Sequence, residues 1–335
     1  MKRSYLLFIL LLLAACQNTA VTPTAIIIPP TDLPPTETPP PTATIAPTNT
    51  PGFTPLTILR DDNRPVERLA NVPYTSPLQS GIATQQLDLY RPVGAGPWPT
   101  VILIHGSGSG KEDIADWAED AAAAGLLVYA ANWPVPPLSS ASATTERRWR
   151  EAAETLSCLI SFARATAPDW SGTTERMVLA GFSAGALFGS STALAGPTWP
   201  ADWQAWADAQ DGPSAQVGCR YDNPDGGWVT AFVGVGGPYD LFASVLGNPA
   251  GLDERERGLY DLLVPGALLA RGQAIPLRFI HGSGDGRVPV AQSENFAARA
   301  AAAGFDSEFI LVDGGGHTTL NATSVPIIYG LAAGE

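Results

Sequence analysis

Basic residues are scarce in this 335-residue chain: 19 Lys and Arg stand against 32 Asp and Glu, a formal net charge of −13. A protein that grips nucleic acid needs a basic stripe to neutralise phosphates, so that partner is excluded. The same balance argues against a protein face that binds anionic lipid. Histidine is rarer still, with only His105, His281 and His317 in the whole chain. There is no H-E-x-x-H motif, and three scattered histidines make a poor zinc ligand set. No metal and no cofactor is expected. Gly106-Ser107-Gly108-Ser109-Gly110-Lys111 has the glycines of a phosphate-binding loop. It is one residue short, however, and Glu112 stands where a magnesium-binding Ser or Thr is required. Long apolar runs are also missing. The N-terminal run, 6–13, is too short to span a bilayer comfortably.

That short run follows Lys2 and Arg3 and leads into Leu13-Ala14-Ala15-Cys16. A positive start, an apolar stretch and small residues form the layout of a secretory signal. The ending resembles the bacterial lipobox, which implies cleavage before Cys16 and a lipid on its sulfur. An ordinary signal peptide or a short membrane anchor is the plainer alternative. Removing residues 1–15 takes away Lys2 and Arg3, leaving 17 basic against 32 acidic residues, net −15. Residues 17–55 then hold eleven prolines and eleven threonines with almost no charge. Proline favours extended polyproline II, so 16–55 reads as a lipid-bearing spacer. At about 3.1 Å per residue its reach is on the order of 100 Å. The expected location is extracytoplasmic, anchored by the lipid to a bacterial membrane.

The folded domain is expected over 56–335. Apolar runs at 87–90, 100–104, 126–131, 176–180, 229–235, 277–280 and 309–312 read as strands. Helical spacing recurs at 112–124, 145–167, 184–195 and 291–303, with Trp149, Leu156, Leu159 and Phe162 marking the long one. Alternating strands and helices predict an α/β fold: a mainly parallel, twisted sheet with helices on both faces. Residues 196–227 interrupt the alternation with Trp199, Trp203, Trp206 and Cys219. They read as a cap-like insertion over the site, or as a surface excursion whose tryptophans pack on the domain. Cys158 and Cys219 remain beyond Cys16. They pair in an oxidising compartment, or else serve as small buried hydrophobes.

The strongest chemical signal is Gly181-Phe182-Ser183-Ala184-Gly185, after a strand and before a helix. A nucleophile on such a sharp turn needs small neighbours two residues away, and the turn lifts Oγ out of the sheet. The Ala184 N–H, at the helix start, then faces developing negative charge. Serine needs a base at neutral pH. His317, in Gly314-Gly315-Gly316-His317 after the last strand, is the expected base, while His105 and His281 organise loops. Activity should therefore rise with pH through the histidine range. Asp285, also just after a strand, is the expected orienting carboxylate. Asp240 competes, with a helix N-cap as its other role, and Asp313 is too close along the backbone to His317. The second oxyanion donor is expected from the turn after the early strand, at the Ser107 N–H, with Gly106 as the alternative.

The order Ser183, Asp285, His317, the His105-Gly106 turn and His281-Gly-x-x-Asp285-x-x-Val288-Pro289 together resemble the α/β-hydrolase superfamily. The likeness covers roughly residues 70–330 and is nearest its esterase/lipase and dienelactone-hydrolase-like branches. Pro73-Tyr74 and Gln86-Leu87-Asp88-Leu89-Tyr90-Arg91-Pro92 resemble the entry segment of secreted carboxylesterases. The chain departs at His105-Gly106-Ser107-Gly108, where many of those enzymes carry His-Gly-Gly-Gly, and in the tryptophan-bearing insertion. The resemblance implies a serine hydrolase acting on small-molecule or polymer carboxylic esters. A peptidase on the same fold and an inactive surface-binding scaffold are the competing classes.

Overall fold

The computed structural model describes residues 56–58, 64–76, 83–139, 141–210, 217–221, 228–271, 274–318 and 321–334. The signal, Cys16 and the spacer lie outside the described residues, as do 211–216 and 222–227 of the insertion.

Among the described residues nine strands form one sheet: β1 (Leu56–Ile58), β2 (Val66–Pro73), β3 (Gln86–Pro92), β4 (Trp98–Ile104), β5 (Leu127–Ala131), β6 (Gly172–Phe182), β7 (Ala231–Val235), β8 (Leu277–Gly282) and β9 (Ser307–Val312). Their spatial order is β1-β2-β3-β5-β4-β6-β7-β8-β9. The first three strands pair antiparallel, and β3 pairs antiparallel with β5. From β5 to β9 every pairing is parallel. The helices are α1 (Ala115–Ala123), α2 (Ala143–Thr166), α3 (Ala184–Ala195), α4 (Trp199–Asp208), α5 (Leu241–Leu246), α6 (Glu254–Leu263), α7 (Pro265–Leu268), α8 (Ala291–Ala302) and α9 (Asn321–Ala333).

Strand side chains alternate in direction, so a strand buried on both sides feeds two cores. In β4, Ile102 and Ile104 join one cluster while Val101 and Leu103 join the other. In β6, Met177 and Leu179 divide from Val178 and Ala180 in the same way. The first core takes residues from α2, α3, α4, α6 and α8, and the second takes them from α1 and α9. Helices therefore cover both faces, and the parallel strands all point their carboxyl ends to one edge, where ligands bind in such sheets.

The insertion packs inward. Trp199 and Trp203 on α4 are wholly buried. Trp199 Nε1 donates to Leu262 O at 2.9 Å, and Trp206 Nε1 donates to Arg255 O at 3.1 Å. The tryptophans of α4 are thus seated on the domain, two of them bonded to α6. Further along the insertion, residues 217–221 return to the sheet margin. Ser76 N–H donates to Gly218 O at 2.8 Å, and Arg220 N–H to Tyr74 O at 3.1 Å. There Cys219 is bonded to Cys158 of α2, with Cα atoms 4.9 Å apart, so the two cysteines pair. Closing a loop of 61 residues stabilises the fold by about 4 kcal/mol on the chain-entropy account.

Candidate active site

The turn between β6 and α3 is crowded in the way the glycine spacing requires. A methyl group on Gly181 would lie 2.3 Å from Gly185 O, and one on Gly185 would lie 2.6 Å from His105 O. Helix α3 can start this close to β4 and β6 only because both positions lack a side chain. Ser183 itself takes φ 54° and ψ −116°, left-handed backbone that costs energy in a residue other than glycine. Its N–H is tied to Val235 O at 2.8 Å on the neighbouring strand. The Ala184 N–H opens α3 and has no acceptor within the helix.

Two further strand ends complete the arrangement. After β9, Gly314 adopts φ 68° and turns the chain back towards Ser183. After β8, the 283–290 loop carries Asp285. The loops are laced together: Gly284 N–H donates to Gly315 O at 2.9 Å, and Gly314 N–H donates to Ser283 Oγ at 2.8 Å. The result is a chain of three side chains. His317 Nε2 lies 3.1 Å from Ser183 Oγ, and its Nδ1 lies 2.6 Å from Asp285 Oδ2. Gly236, φ 60°, floors the site. A methyl group there would lie 3.4 Å from His317 Nδ1 and 3.5 Å from Asp285 Oδ2.

Asp285 has a fully buried carboxylate. Burial alone raises its pKa. The Val288 N–H, the His317 ring and the Arg287 N–H outweigh burial, and the pKa falls below the usual value. The carboxylate stays charged and can hold His317 with Nδ1 protonated and Nε2 free to accept from Ser183.

The other two histidines do organise loops. His105 is buried, and burial lowers its pKa against the opposing hydrogen bond with Gly106 O. Trp133 Nε1 donates to its carbonyl at 3.0 Å. His281 is wholly buried between Val288 O, 3.0 Å from Nε2, and Ser293 Oγ, 2.7 Å from Nδ1. A carbonyl only accepts, so Nε2 carries the proton. That N–H also lies 3.0 Å from Asp285 Oδ2, a proximity that spacing along the chain alone did not reveal. The i, i+4 separation of His281 and Asp285 was its one visible signal.

Asp240 stands at the N-cap position of α5, but its side chain does not cap the helix and instead pairs with Arg299. Asp313 accepts from Ser283 Oγ at 3.2 Å. Gly106 presses on the nucleophile: a methyl group there would lie 3.0 Å from Ser183 Cβ and 3.1 Å from the Phe182 ring. Ser107 follows at the exposed tip of the same turn. A cavity of about 280 Å³ opens beside His317, walled by Ile114, Trp117, Phe182 and Val235, with Ser109, Asp113 and Thr318 as its polar part. No described residue of 196–227 lines it.

Solved structures with this architecture include a truncated carbohydrate esterase from gut microbiota, at 20% identity and TM-score 0.55, covering 79% of this chain and 96% of that one. A thermophilic esterase of the planctomycete Thermogutta terrifontis with propionate bound aligns at 17% identity and TM-score 0.51, over 85% of this chain and 93% of its own. The same esterase phosphorylated by paraoxon aligns at 16% identity and TM-score 0.51, over 81% and 86%. This chain shares their fold. No family model and no curated protein matches it.

Proposed function

We propose that the chain is a serine hydrolase of the α/β-hydrolase fold that cleaves carboxylic esters through an acyl-enzyme. The observation that carries this reading is the run from Ser183 Oγ through His317 to Asp285, 3.1 and 2.6 Å, assembled from the ends of β6, β8 and β9. His317 takes the proton of Ser183 as Oγ attacks the ester carbonyl. The Ala184 and Ser107 amides receive the oxyanion, each worth about 3 kcal/mol in such a site. Asp285 stabilises the imidazolium. His317 then protonates the departing alcohol, and water repeats the attack on the acyl-enzyme. The esterase activity of the fold neighbours is in keeping with this chemistry.

The cavity beside His317 sets the apolar Ile114, Trp117, Phe182 and Val235 against the polar Ser109, Asp113 and Thr318, and its apolar wall suits an uncharged organic group on one side of the ester. An extracytoplasmic, lipid-anchored setting completes the reading. It rests on the 1–16 sequence, and a diacylglycerol-bearing Cys16 peptide in the mass spectrum is its check.

The deciding experiment is hydrolysis of a p-nitrophenyl ester series by the full chain and by Ser183→Ala, with a fluorophosphonate label on both. Turnover and labelling in the wild type should vanish in the variant, with a loss on the order of 10⁶ in kcat. A well-folded wild type that takes no label would defeat the proposal.

A further inference from the structure

Two stretches of sequence that the triad leaves unused meet at the far end of the turn that begins at His105. One is Asp88 on β3, within the 86–92 segment. The other is Lys111, which closes the turn carrying Gly106 and Ser107. Lys111 Nζ lies 3.0 Å from Asp88 Oδ1, and the two side chains are 2% and 0% exposed. Burying two charges is expensive, and an apolar pair of equal volume serves stability as well or better. The pair therefore calls for a reason other than stability.

Its connections supply one. Asp88 Oδ1 also accepts the Asn71 N–H at 2.8 Å, where β2 bulges and Asn71 takes φ 60°. Asp88 Oδ2 accepts Arg68 Nη2 at 2.5 Å and Nε at 3.2 Å. On the turn side, Lys111 N–H donates to Asn132 Oδ1 at 2.8 Å. At the opposite end of the turn, the His105 carbonyl is held by the indole of Trp133. Both ends of 105–111 are thus fixed to the consecutive residues 132 and 133, and the Lys111 end is fixed again through Asp88. Among the described residues, the only other carboxylate on Lys111 is that of Glu112, at 2.6 Å and 64% exposed.

We infer that Asp88, acting through Lys111, is a positioning residue that holds the 105–111 turn where the Ser107 amide meets the oxyanion of the Ser183 adduct. The inference rests on the serine-hydrolase reading. Without the Asp88 carboxylate, the Lys111 ammonium loses its buried partner and turns outward to Glu112 and solvent. The turn follows it, and the amide misses an oxygen that is present only in the transition state.

The test compares full-length wild type, Asp88→Asn and the doubly apolar Asp88→Leu/Lys111→Met on one p-nitrophenyl ester. It reads kcat, KM, the inhibition constant of a boronic acid that mimics the tetrahedral adduct, and Tm. Misplacing one oxyanion donor should lower kcat of both variants roughly 10- to 100-fold while KM stays within about threefold. Boronate binding should weaken in parallel with kcat. The doubly apolar variant removes the buried ammonium along with the carboxylate and leaves Arg68, 27% exposed, a way to solvent, so it should recover part of the Tm that Asp88→Asn loses without recovering kcat. A folded Asp88→Asn with kcat within about twofold of wild type would overturn the inference. So would a doubly apolar variant that regains kcat along with Tm, because the loss would then be one of stability. Wild type that neither turns over nor takes a fluorophosphonate label would instead remove the hydrolase reading, and the positioning role with it.

Discussion

The two loops that flank Ser183 are held by opposite means. The 105–111 turn is fixed by buried charge and by side-chain bonds to 132 and 133. The 313–317 loop is fixed to the Asp285 loop by one backbone bond and by the neutral hydroxyl of Ser283, with glycines at 314, 315 and 316 and, among the described residues, no ion pair except that of His317 itself. The difference matches what the proposed mechanism asks of each. Amides that receive an oxyanion gain most by not moving. The base must exchange protons with serine, alcohol and water in turn, so its ring needs some freedom, and Asp285 supplies the direction.

The largest break in this comparison is Asp285→Asn. An amide at that position no longer selects the productive tautomer of His317, and kcat should fall by roughly four orders of magnitude. The same change has a signature in stability. The Asp285 pKa is depressed in the fold, so its ionisation contributes stability that is full at neutral pH and is lost as pH falls through the depressed value. Urea unfolding from neutral pH down to the acid end of the carboxylate range should show that loss in the wild type. The variant should lack that share of it. Equal acid dependence in the two proteins would show that the carboxylate gains nothing from its partners.

Next in size is a paired test of the two loops with one kind of change. Gly106→Ala places a methyl group 3.0 Å from Ser183 Cβ, so the nucleophile or the turn must shift. A displacement of that kind should cost roughly 10-fold or more in kcat. Gly314→Ala meets nothing within 4 Å, and only its φ of 68° is at issue. Strain there should lower stability by about 1 kcal/mol and leave kcat within about twofold. Equal losses of kcat would erase the distinction between a rigid oxyanion turn and a compliant base loop.

The sequence exposes the parallel strands because each is a short apolar run buried on both faces. The run at 100–104 became β4, and that at 176–180 became β6, extended at both ends. Helices with clean apolar spacing were equally legible: 184–195 and α3 coincide, and 145–167 is α2 within two residues at each end. The antiparallel margin was not. β2 breaks its alternation at the bulge between Leu69 and Val72, so its pattern never repeats for long. α9 carries Pro326 and Gly330, which argue locally against a helix, and its burial on the second core overrides them. That Ser183, Asp285 and His317 come together was legible because each follows a strand and carries a residue type the proposed chemistry demands. Asp88 and Lys111 were not: their meeting depends on β3 and the turn after β4 converging in space, and neither sits in a pattern that names the other.

The smallest expected effect concerns what enters the cavity. Asp113 lines it with an exposed carboxylate, one oxygen of which accepts the Gly110 N–H at 2.8 Å. Asparagine can keep that bond through its carbonyl while removing the charge. Two like charges about 4 Å apart in water repel by about 1 kcal/mol, roughly a fivefold difference in rate, and salt screens the effect. Asp113→Asn should therefore raise kcat/KM for the hemisuccinate of p-nitrophenol about fivefold relative to the butyrate, with the gain shrinking as ionic strength rises. Neutral esters should hardly change. An unchanged ratio would place the acyl group away from Asp113 and make the cavity the alcohol side of the ester. The same variant tested on esters with charged alcohols would then show the shift instead.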